Sequence, residues 1–237
     1  MTADPLLLLG EVDRATARLL RNAAGLTAAD LAQPSLLPGW TRGHVLTHVA
    51  RNADAMVNLL SAARTGEDRP AYASSEARAA DIDAGAGRDP GRQLADLEAS
   101  AQRFAEAAEG MPADAWAAPV ETRQGLLAAA VLVWSRLREV EVHHVDLSAG
   151  YRAADWSAAY SQRLLYEVVS DFNARTGVPA MVLRCDGEAR ELVVGERDGA
   201  PMVSGPAGEL AGWLIGRTPG EGLTVSPGSL PTPPNWR

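Results

Sequence analysis

Four histidines are the residues of this chain best suited to bind a metal, and they fall in only two places. His44 and His48 are four residues apart, and His143 and His144 follow four and five residues after Glu139. Residues four apart share one face of an α-helix. Two imidazoles and one carboxylate are a common ligand set of catalytic zinc, with the fourth position open to water or substrate. The spacing therefore favours a metal bound between two helices.

Each helix would carry three polar side chains along one face. One set consists of His44, His48 and Asn52, and the other of Glu139, His143 and Asp146. Because the core of a bundle is normally apolar, two such polar sets suggest a metal between them. The same spacing is also typical of a surface or helix-capping feature, and Glu139 has Arg136 and Arg138 nearby for an ordinary surface ion pair. Spacing alone leaves both interpretations open.

Long helices are predicted for the first 150 residues, because apolar residues recur there every three to four positions. The pattern predicts helices over 5–24, 42–64, 90–109 and 126–149. Thr41 is a candidate N-cap for the second helix, and Pro90 suits the first turn of the third. Residues 70–87 are predicted to be a long connection, and 115–125 a short extended segment. Four helices of this length are typical of a bundle.

The composition changes near residue 150, where β-rich segments begin. The pattern predicts helices over 155–176 and 207–217 and strands over 178–185, 191–196, 201–204 and 223–226. Asp186 and Gly187 separate the first two strands and are typical of a hairpin. We therefore predict an α+β chain with two domains, a helical bundle at 1–150 and a small α+β domain at 151–237.

Composition and charge exclude several classes of function. The chain has 237 residues, 46% hydrophobic and 22% charged, a balance typical of globular proteins. A net charge of −8 disfavours nucleic-acid binding, and no apolar run approaches the ~18 residues of a membrane span. The single cysteine, Cys185, excludes a disulfide within the chain and favours a reducing cytoplasm. All 22 basic residues are arginine, which rules out Schiff-base and P-loop chemistry, because both need a lysine amine.

Several segments resemble the mycothiol-dependent maleylpyruvate isomerases, a branch of the DinB-like bundle proteins. Residues 36–60, LLPGWTRGHVLTHVARNADAMVNLL, are similar to the second-helix motif of this family. Residues 134–147, WSRLREVEVHHVDL, are similar to its fourth-helix motif. The likeness extends to the interhelical loop at 65–78 and to the small domain and tail at 204–217 and 231–237. The resemblance implies a DinB-like four-helix bundle followed by a small C-terminal α/β domain.

The fourth-helix motif of this family supplies a glutamate and a histidine as metal ligands. The resemblance therefore implies that Glu139 and His143 bind the metal. The third implied ligand is His48 rather than His44, because the ligand in the family is the histidine followed by V-A-x-N-A. His144 occupies a position that the motif does not require to be histidine.

The resemblance also implies a functional arginine in the small domain, within a G-R pair after a W-x-x-G-like helix. The matching residue is Arg217. From the residues alone, Arg217 would be a helix C-terminal residue that complements the helix dipole. Two positions of the fourth-helix motif depart from the family, since Leu137 replaces a usually short residue and Glu141 stands where an aromatic is common. These departures bear on substrate preference rather than on the metal.

The function that the resemblance implies is isomerisation of maleylpyruvate to fumarylpyruvate in gentisate degradation, with Zn²⁺ and mycothiol as cofactors. A metal-bound thiol is deprotonated, and the resulting mycothiol thiolate would add to the cis alkene of the substrate. Rotation about the new single bond and elimination would give the trans product. Arg217 would hold a substrate carboxylate or the enolate, since a guanidinium pairs bidentately with carboxylates.

Two other functions stay open at this point. A mycothiol S-transferase would use the same thiolate to conjugate electrophiles, without an elimination step. A non-catalytic metal-binding module would have a closed site of four protein ligands, with His44 or Asp146 as the fourth. For the isomerase the expected partners are mycothiol and a small dicarboxylate, and neither a nucleic acid nor a membrane.

Overall fold

The structure is a computed structural model that describes residues 4–123 and 125–236. The chain divides between Ala149 and Gly150 into two compact units. The helices of the first unit are α1 (Pro5–Ala24), α2 (Ala28–Leu31), α3 (Arg42–Thr65), α4 (Ser75–Ala86), α5 (Pro90–Glu109) and α6 (Val131–Asp146). Between α5 and α6 along the chain, β1 (Pro119–Thr122) and β2 (Gly125–Ala128) form an antiparallel hairpin.

The four long helices α1, α3, α5 and α6 form a bundle around an apolar core. Helix α3 packs against α5 and α6, and α1 packs against the same two helices. The buried apolar side chains of α1 follow the helical repeat: Leu8, Val12, Ala15 and Leu19. Burying a leucine or valine side chain stabilises a fold by about 1.5–3 kcal/mol. This spacing therefore decides which face of α1 meets the core, and the predicted bundle is confirmed.

Helix α3, which carries His48, begins and ends at residues with local signals. Thr41 is its N-cap, as predicted, and the Thr41 hydroxyl oxygen accepts a hydrogen bond from the backbone N–H of His44. Gly66 closes the helix with a φ of 73°, a left-handed conformation that glycine adopts without steric cost. The start of the helix places His48 in its second turn.

A buried arginine connects α6 to α3 beside the polar residues of both helices. Arg136 is 1% exposed, and its Nη1 donates to the carbonyl oxygen of Val49 at 2.8 Å and to Oδ1 of Asn52 at 2.9 Å. Burial lowers the pKa of Arg136 to about 10, so the guanidinium stays charged at neutral pH. These bonds lie about one helical turn from His48 and Glu139 and hold the two helices together there.

The prediction of a long connection at 70–87 is wrong, because α4 occupies most of this segment. Ser74 is the N-cap of α4, and its Oγ accepts a hydrogen bond from the N–H of Ala77 at 3.0 Å. The helix lies close to α3, where a Cβ at Gly43 would be 2.2 Å from the carbonyl oxygen of Ala86. A helix of this length is only marginally stable by itself. The N-cap and the packing against α3 therefore stabilise α4.

The predicted helix over 126–149 is wrong at both ends. The first residues of the predicted helix form strand β2, which pairs with β1. Strand β1 lies within the segment 115–125 that is predicted to be extended. Helix α6 begins at Val131 and ends at Asp146, and Ser148 has a φ of 51°, outside the helical region. The alanine- and leucine-rich sequence favours a helix, but strand pairing overrides this weak preference.

The second unit is a four-stranded sheet with two helices. Its elements are α7 (Ala158–Asn173), β3 (Met181–Cys185), β4 (Glu191–Val194), β5 (Met202–Gly205), α8 (Ala207–Leu214) and β6 (Thr224–Ser226). The strand order is β4-β3-β5-β6, with β3 and β4 in the predicted antiparallel hairpin and β5 parallel to β3. Helices α7 and α8 pack against each other and against the sheet. The predicted α+β class, a bundle followed by a small α/β part, is confirmed.

Both helices of the second unit are shorter than predicted. The predicted 155–176 helix begins later because Ser157 is the N-cap of α7, and its Oγ accepts a hydrogen bond from the N–H of Tyr160 at 3.2 Å. The predicted 207–217 helix ends at Leu214 because Gly216, with a φ of 74°, turns the chain away from the helix axis.

Within the described part of the chain, no helix combines the length and the apolar composition that crossing a bilayer requires.

The thiol of Cys185 lies at the end of β3. Cys185 is buried, and burial, with the charges of Glu188 and Asp186, raises the pKa of its thiol. Because the thiolate is the reactive form, this protonated thiol is a packing group rather than a nucleophile.

Candidate metal centre

Three side chains from two helices of the first unit meet at one point. His48 comes from α3, and Glu139 and His143, one turn apart, come from α6. Nε2 of His48 lies 3.1 Å from Oε2 of Glu139 and 3.0 Å from Nε2 of His143. Nε2 of His143 lies 3.3 Å from Oε2 of Glu139. The structure thus brings together the three residues that we predict as metal ligands.

The spacing of these three atoms fits a zinc-sized ion. Tetrahedral bonds of about 2.0–2.1 Å place the ligand atoms about 3.3–3.4 Å apart. The observed separations of 3.0, 3.1 and 3.3 Å therefore need to open by only a few tenths of an ångström. Two imidazoles and one carboxylate suit Zn²⁺, and also iron, nickel and cobalt. Among residues 4–123 and 125–236, this is the only group of three or more side chains placed to hold a metal.

The charges of the three side chains depend on one another because their ligand atoms lie within 3.3 Å of one another. Burial lowers the pKa of His48 to about 4, and the charge of His143 adds to this effect. Burial alone would lower the pKa of His143, but hydrogen bonds to Asp146 and Glu139 raise it to about 9. Burial would raise the pKa of Glu139, but hydrogen bonds from His143 and His48 hold it well below its usual value. At neutral pH, Glu139 is therefore anionic, His143 cationic and His48 neutral.

Metal binding is expected to release one proton and to strengthen with pH. Below its pKa of about 9, His143 is protonated in the metal-free protein, and a metal must displace that proton to reach Nε2. His48 is already neutral above its pKa of about 4 and releases no further proton. We therefore expect the apparent zinc affinity to rise about tenfold per pH unit between about pH 6 and pH 8.

A competition titration against a chromogenic chelator, corrected for the chelator's own protonation, measures this dependence. Calorimetry in buffers of different ionisation enthalpy counts the released protons independently. A zinc affinity that stays constant over this pH range would contradict the protonated state assigned to His143.

Asp146 lies behind His143 and orients it. Oδ2 of Asp146 lies 2.8 Å from Nδ1 of His143, and the residue is fully buried. An ionised carboxylate only accepts hydrogen bonds, so Nδ1 of His143 carries a proton and Nε2 is the atom available to a metal. Asp146 therefore sets the orientation of the ring and contributes no ligand atom itself.

The Asp146→Asn variant is expected to bind zinc about 10–100-fold more weakly than the wild type. An amide oxygen still accepts a hydrogen bond from Nδ1 of His143, but it lacks the charge that makes the ring more basic. Asp83→Asn is the matched control, because the exposed Asp83 carboxylate lies 3.7 Å from Nε2 of His44, outside the cluster. Equal zinc affinities of the two variants in the competition titration would show that Asp146 does not support the centre.

The two remaining histidines make structural contacts. Nδ1 of His44 lies 2.7 Å from Oγ1 of Thr41 and belongs to the capping box of α3. Nε2 of His144 lies 3.0 Å from Nδ2 of Asn22 and connects α6 to α1. Neither histidine places a ligand atom in the cluster, which has three members in the described part of the molecule.

Trp40 and Arg78, which the sequence pattern does not identify, contact His48, and Tyr72 packs against Arg78. The ring centroid of Trp40 is 5.4 Å from that of His48, in an edge-on arrangement. Nη2 of Arg78, on α4, lies 3.1 Å from Nδ1 of His48, and the Arg78 guanidinium lies over the ring of Tyr72. Arg78 is missed because its segment is predicted as a connection. The signal that could have revealed its helix is the N-cap Ser74 followed by an alanine-rich stretch.

Both units match family models. Residues 12–148 match the mycothiol maleylpyruvate isomerase N-terminal domain, and residues 155–234 match the MDMPI C-terminal domain. The first match alone spans more than half of the chain. The chain belongs to the mycothiol-dependent maleylpyruvate isomerase family. The resemblance seen in the two helix motifs is therefore confirmed.

Two solved structures resemble the chain over nearly its whole length. The crystal structure of the mycothiol-dependent maleylpyruvate isomerase has a TM-score of 0.92 and 31% sequence identity, over 99% of this chain and 98% of that chain. The crystal structure of a histidine-to-alanine mutant of the isomerase has a TM-score of 0.91, 31% identity and the same coverage. No curated protein matches the sequence.

The arginine expected from the isomerase family, Arg217, lies in the second unit, whereas the three candidate ligands lie in the first. After α8, Gly216 has a φ of 74°, and the N–H of Arg217 donates to the carbonyl oxygen of Gly212 at 2.7 Å. This Schellman arrangement explains the G-R pair, because glycine enters the left-handed conformation most readily. Nη1 of Arg217 also donates to the carbonyl oxygen of Ile215 at 2.9 Å. The role of Arg217 in a reaction stays a prediction.

Proposed function

We propose that this protein is a mycothiol-dependent maleylpyruvate isomerase that holds Zn²⁺ with His48, Glu139 and His143 and converts maleylpyruvate into fumarylpyruvate. The observation that carries the proposal is the cluster of three ligand atoms, 3.0–3.3 Å apart, in a chain that matches both domains of the family. Many classes of metalloenzyme use such a cluster of ligands. The family matches favour thiol-dependent isomerisation among the reactions that such a centre could catalyse.

The ligand set favours a catalytic metal over a purely structural one. Structural zinc sites normally have four protein ligands, whereas catalytic sites have three and an open position. The cluster contains three ligand atoms within the described residues. Asp146, one candidate for a fourth ligand, is hydrogen-bonded to Nδ1 of His143, and His44, the other, caps α3. This arrangement supports an enzyme rather than a non-catalytic metal-binding module.

The residues of the centre suit it for activating a thiol. When bound, a divalent cation deprotonates a thiol, and a thiolate adds reversibly to an activated alkene, which permits rotation about that bond. Glu139 balances only one of the two charges of such a cation, and the imidazoles of His48 and His143 bind it as neutral ligands. The centre therefore keeps a net positive charge, and because His48 is buried and His143 half-buried, water screens this charge only in part.

Besides an activated thiol, the reaction requires a positively charged group that binds the carboxylates of the substrate. We assign Arg217 to this role, because a guanidinium binds a carboxylate bidentately and stabilises the charge of an enolate. Arg217 matches the family's functional arginine in position, in the G-R pair after α8. Its side chain would hold one end of the dicarboxylate during rotation about the carbon–carbon single bond that thiolate addition creates.

We also place this activity in a reducing cytoplasm, within the degradation of gentisate. A thiol cofactor stays reduced there, and a chain with a single, buried cysteine suits such a compartment. The substrate in the family's name, maleylpyruvate, supports this metabolic context.

The experiment that tests the proposal follows the absorbance of maleylpyruvate with protein that has been stripped by a chelator and reloaded with Zn²⁺. We expect turnover only when both the metal and mycothiol are present. Turnover in the absence of either one would contradict the proposal. A stable thioether formed from a simple electrophile, without isomerisation of maleylpyruvate, would identify the protein as a mycothiol S-transferase instead.

A further inference from the structure

The guanidinium of Arg78 lies beside the candidate metal centre and pairs with no carboxylate in the described part of the chain. Its Nη2 lies 3.1 Å from Nδ1 of His48, and its guanidinium carbon lies 5.6 Å from the ring centroid of Tyr72. None of the carboxylates in residues 4–123 and 125–236 forms an ion pair with it. Arg78 is half-buried. A guanidinium held against neutral groups in this way is available to bind an anion.

The contact between Arg78 and His48 shows which nitrogen of the ring carries the proton. A guanidinium has only donors, so Nδ1 of His48 accepts the hydrogen bond and carries no proton. An imidazole ring keeps at least one proton, so that proton is on Nε2, which faces Oε2 of Glu139 at 3.1 Å, the oxygen that Nε2 of His143 also faces. His143 has the opposite arrangement, since its Nδ1 faces the carboxylate of Asp146. A cation lies behind one histidine of the centre and an anion behind the other.

Coordination of a metal by His48 is incompatible with the Arg78 contact. A metal needs the lone pair of Nε2, and the ring proton then lies on Nδ1. Nδ1 and Nη2 of Arg78, 3.1 Å apart, would then be two donors that face each other. The guanidinium must therefore leave Nδ1 of His48 when the metal binds.

We propose that Arg78 exchanges partners on metal binding, leaving His48 and binding a carboxylate of the substrate beside the metal. The identity of the substrate and the metal ligands rest on the proposed function, and the exchange adds to them the hydrogen-bond geometry of Arg78 and His48. Helix α4, docked on α3 at Gly43, keeps Arg78 near the centre after its release.

The first test compares zinc affinities by competition titration. Arg78→Met is expected to bind zinc several-fold more tightly than the wild type, because neither the hydrogen bond nor the positive charge of Arg78 then opposes the cation. Arg69→Met is the matched control, since Arg69 is an exposed arginine of the preceding segment, 4.0 Å from the Glu67 carboxylate. Its zinc affinity should equal that of the wild type. Equal or weaker zinc binding by Arg78→Met would overturn the exchange.

Two measurements exclude an effect of misfolding on this comparison. The circular dichroism spectrum and the unfolding transition of Arg78→Met should match those of the wild type. Arg78→Lys keeps the charge and a hydrogen-bond donor, so its zinc affinity should stay close to that of the wild type. A gain of zinc affinity in Arg78→Lys as large as in Arg78→Met would also contradict the exchange.

The second test measures binding of succinate to the zinc-loaded protein by calorimetry. Succinate is a dicarboxylate without a double bond, so it binds without reacting. Arg78→Met should bind succinate at least about tenfold more weakly than the wild type, Arg78→Lys should be intermediate, and Arg69→Met should be unchanged. Unchanged binding by Arg78→Met, or no binding by the wild type, would overturn the carboxylate site.

The succinate titration and the isomerase assay separate this proposal from the proposed function. If the wild type binds succinate through Arg78 but does not isomerise maleylpyruvate, the proposed function fails and the carboxylate site stands. If the wild type isomerises maleylpyruvate but Arg78→Met binds succinate as tightly as the wild type, the role of Arg78 fails alone.

Discussion

Replacing His143 with alanine is expected to abolish zinc binding and isomerase activity together. The substitution removes one of three ligand atoms, and it removes the ligand whose basicity the Asp146 carboxylate raises. A catalytic metal contributes several kcal/mol to the stabilisation of developing charge. Because each 1.4 kcal/mol is a factor of about ten in rate, we expect turnover to fall at least about a thousandfold. Elemental analysis and initial rates on the same sample measure both effects.

His48→Ala is the companion variant, because His143→Ala also leaves the buried carboxylate of Asp146 without its imidazole partner. Loss of a hydrogen bond to a buried charged group costs about 1.5–3 kcal/mol of stability, which would weaken the bundle. In His48→Ala the hydrogen bond between His143 and Asp146 is kept. Loss of zinc from a normally folded His48→Ala variant therefore reports on the ligand itself.

His44→Ala is the matched control, since His44 lies one turn before His48 on the same helix and contributes to its cap. We expect it to lower the free energy of unfolding by about 1 kcal/mol, with zinc content and turnover at wild-type levels. Full zinc content and full rate in His48→Ala or His143→Ala would show that the ligand assignment is wrong.

Arg217→Ala is expected to keep zinc and lose turnover. Arg217 lies in the second unit and outside the cluster of ligand atoms, so the zinc content should equal that of the wild type. Removing a charged contact to the substrate carboxylate or to the enolate should lower kcat/KM about 10²–10³-fold. Zinc analysis and steady-state kinetics on one preparation check both parts of this expectation.

Two comparison variants test whether the effect belongs to Arg217. Arg184→Ala removes another arginine of the second unit, exposed on β3, and should leave the kinetics unchanged. Arg217→Lys keeps the charge without the bidentate geometry and should recover only part of the rate. If Arg217→Ala shows wild-type kinetics and only a small loss of stability, Arg217 is a helix C-terminal residue that interacts with the dipole.

The helices that carry the candidate ligands could be predicted from the sequence because their signals are local. Thr41 marks the start of α3, and the spacing of Glu139 and His143 places both on one face of α6. Spacing did not distinguish His48 from His44, whereas the family motif did. The structure gives the physical reason, since Nδ1 of His44 turns back to the capping box while His48, one turn later, faces α6.

The surroundings of the centre depend on contacts between distant segments, which a sequence pattern does not contain. Helix α4 forms where it docks on α3 at Gly43, and residues 125–128 pair with 119–122 instead of extending α6. The separations of 3.0–3.3 Å between the ligand atoms come from the packing of α3 on α6, which Arg136 and Asn52 bridge. Periodicity and propensity carry no distance between helices. Residue types and spacing thus indicated two groups of candidate ligands, the family motif selected three residues from them, and packing brought those three together.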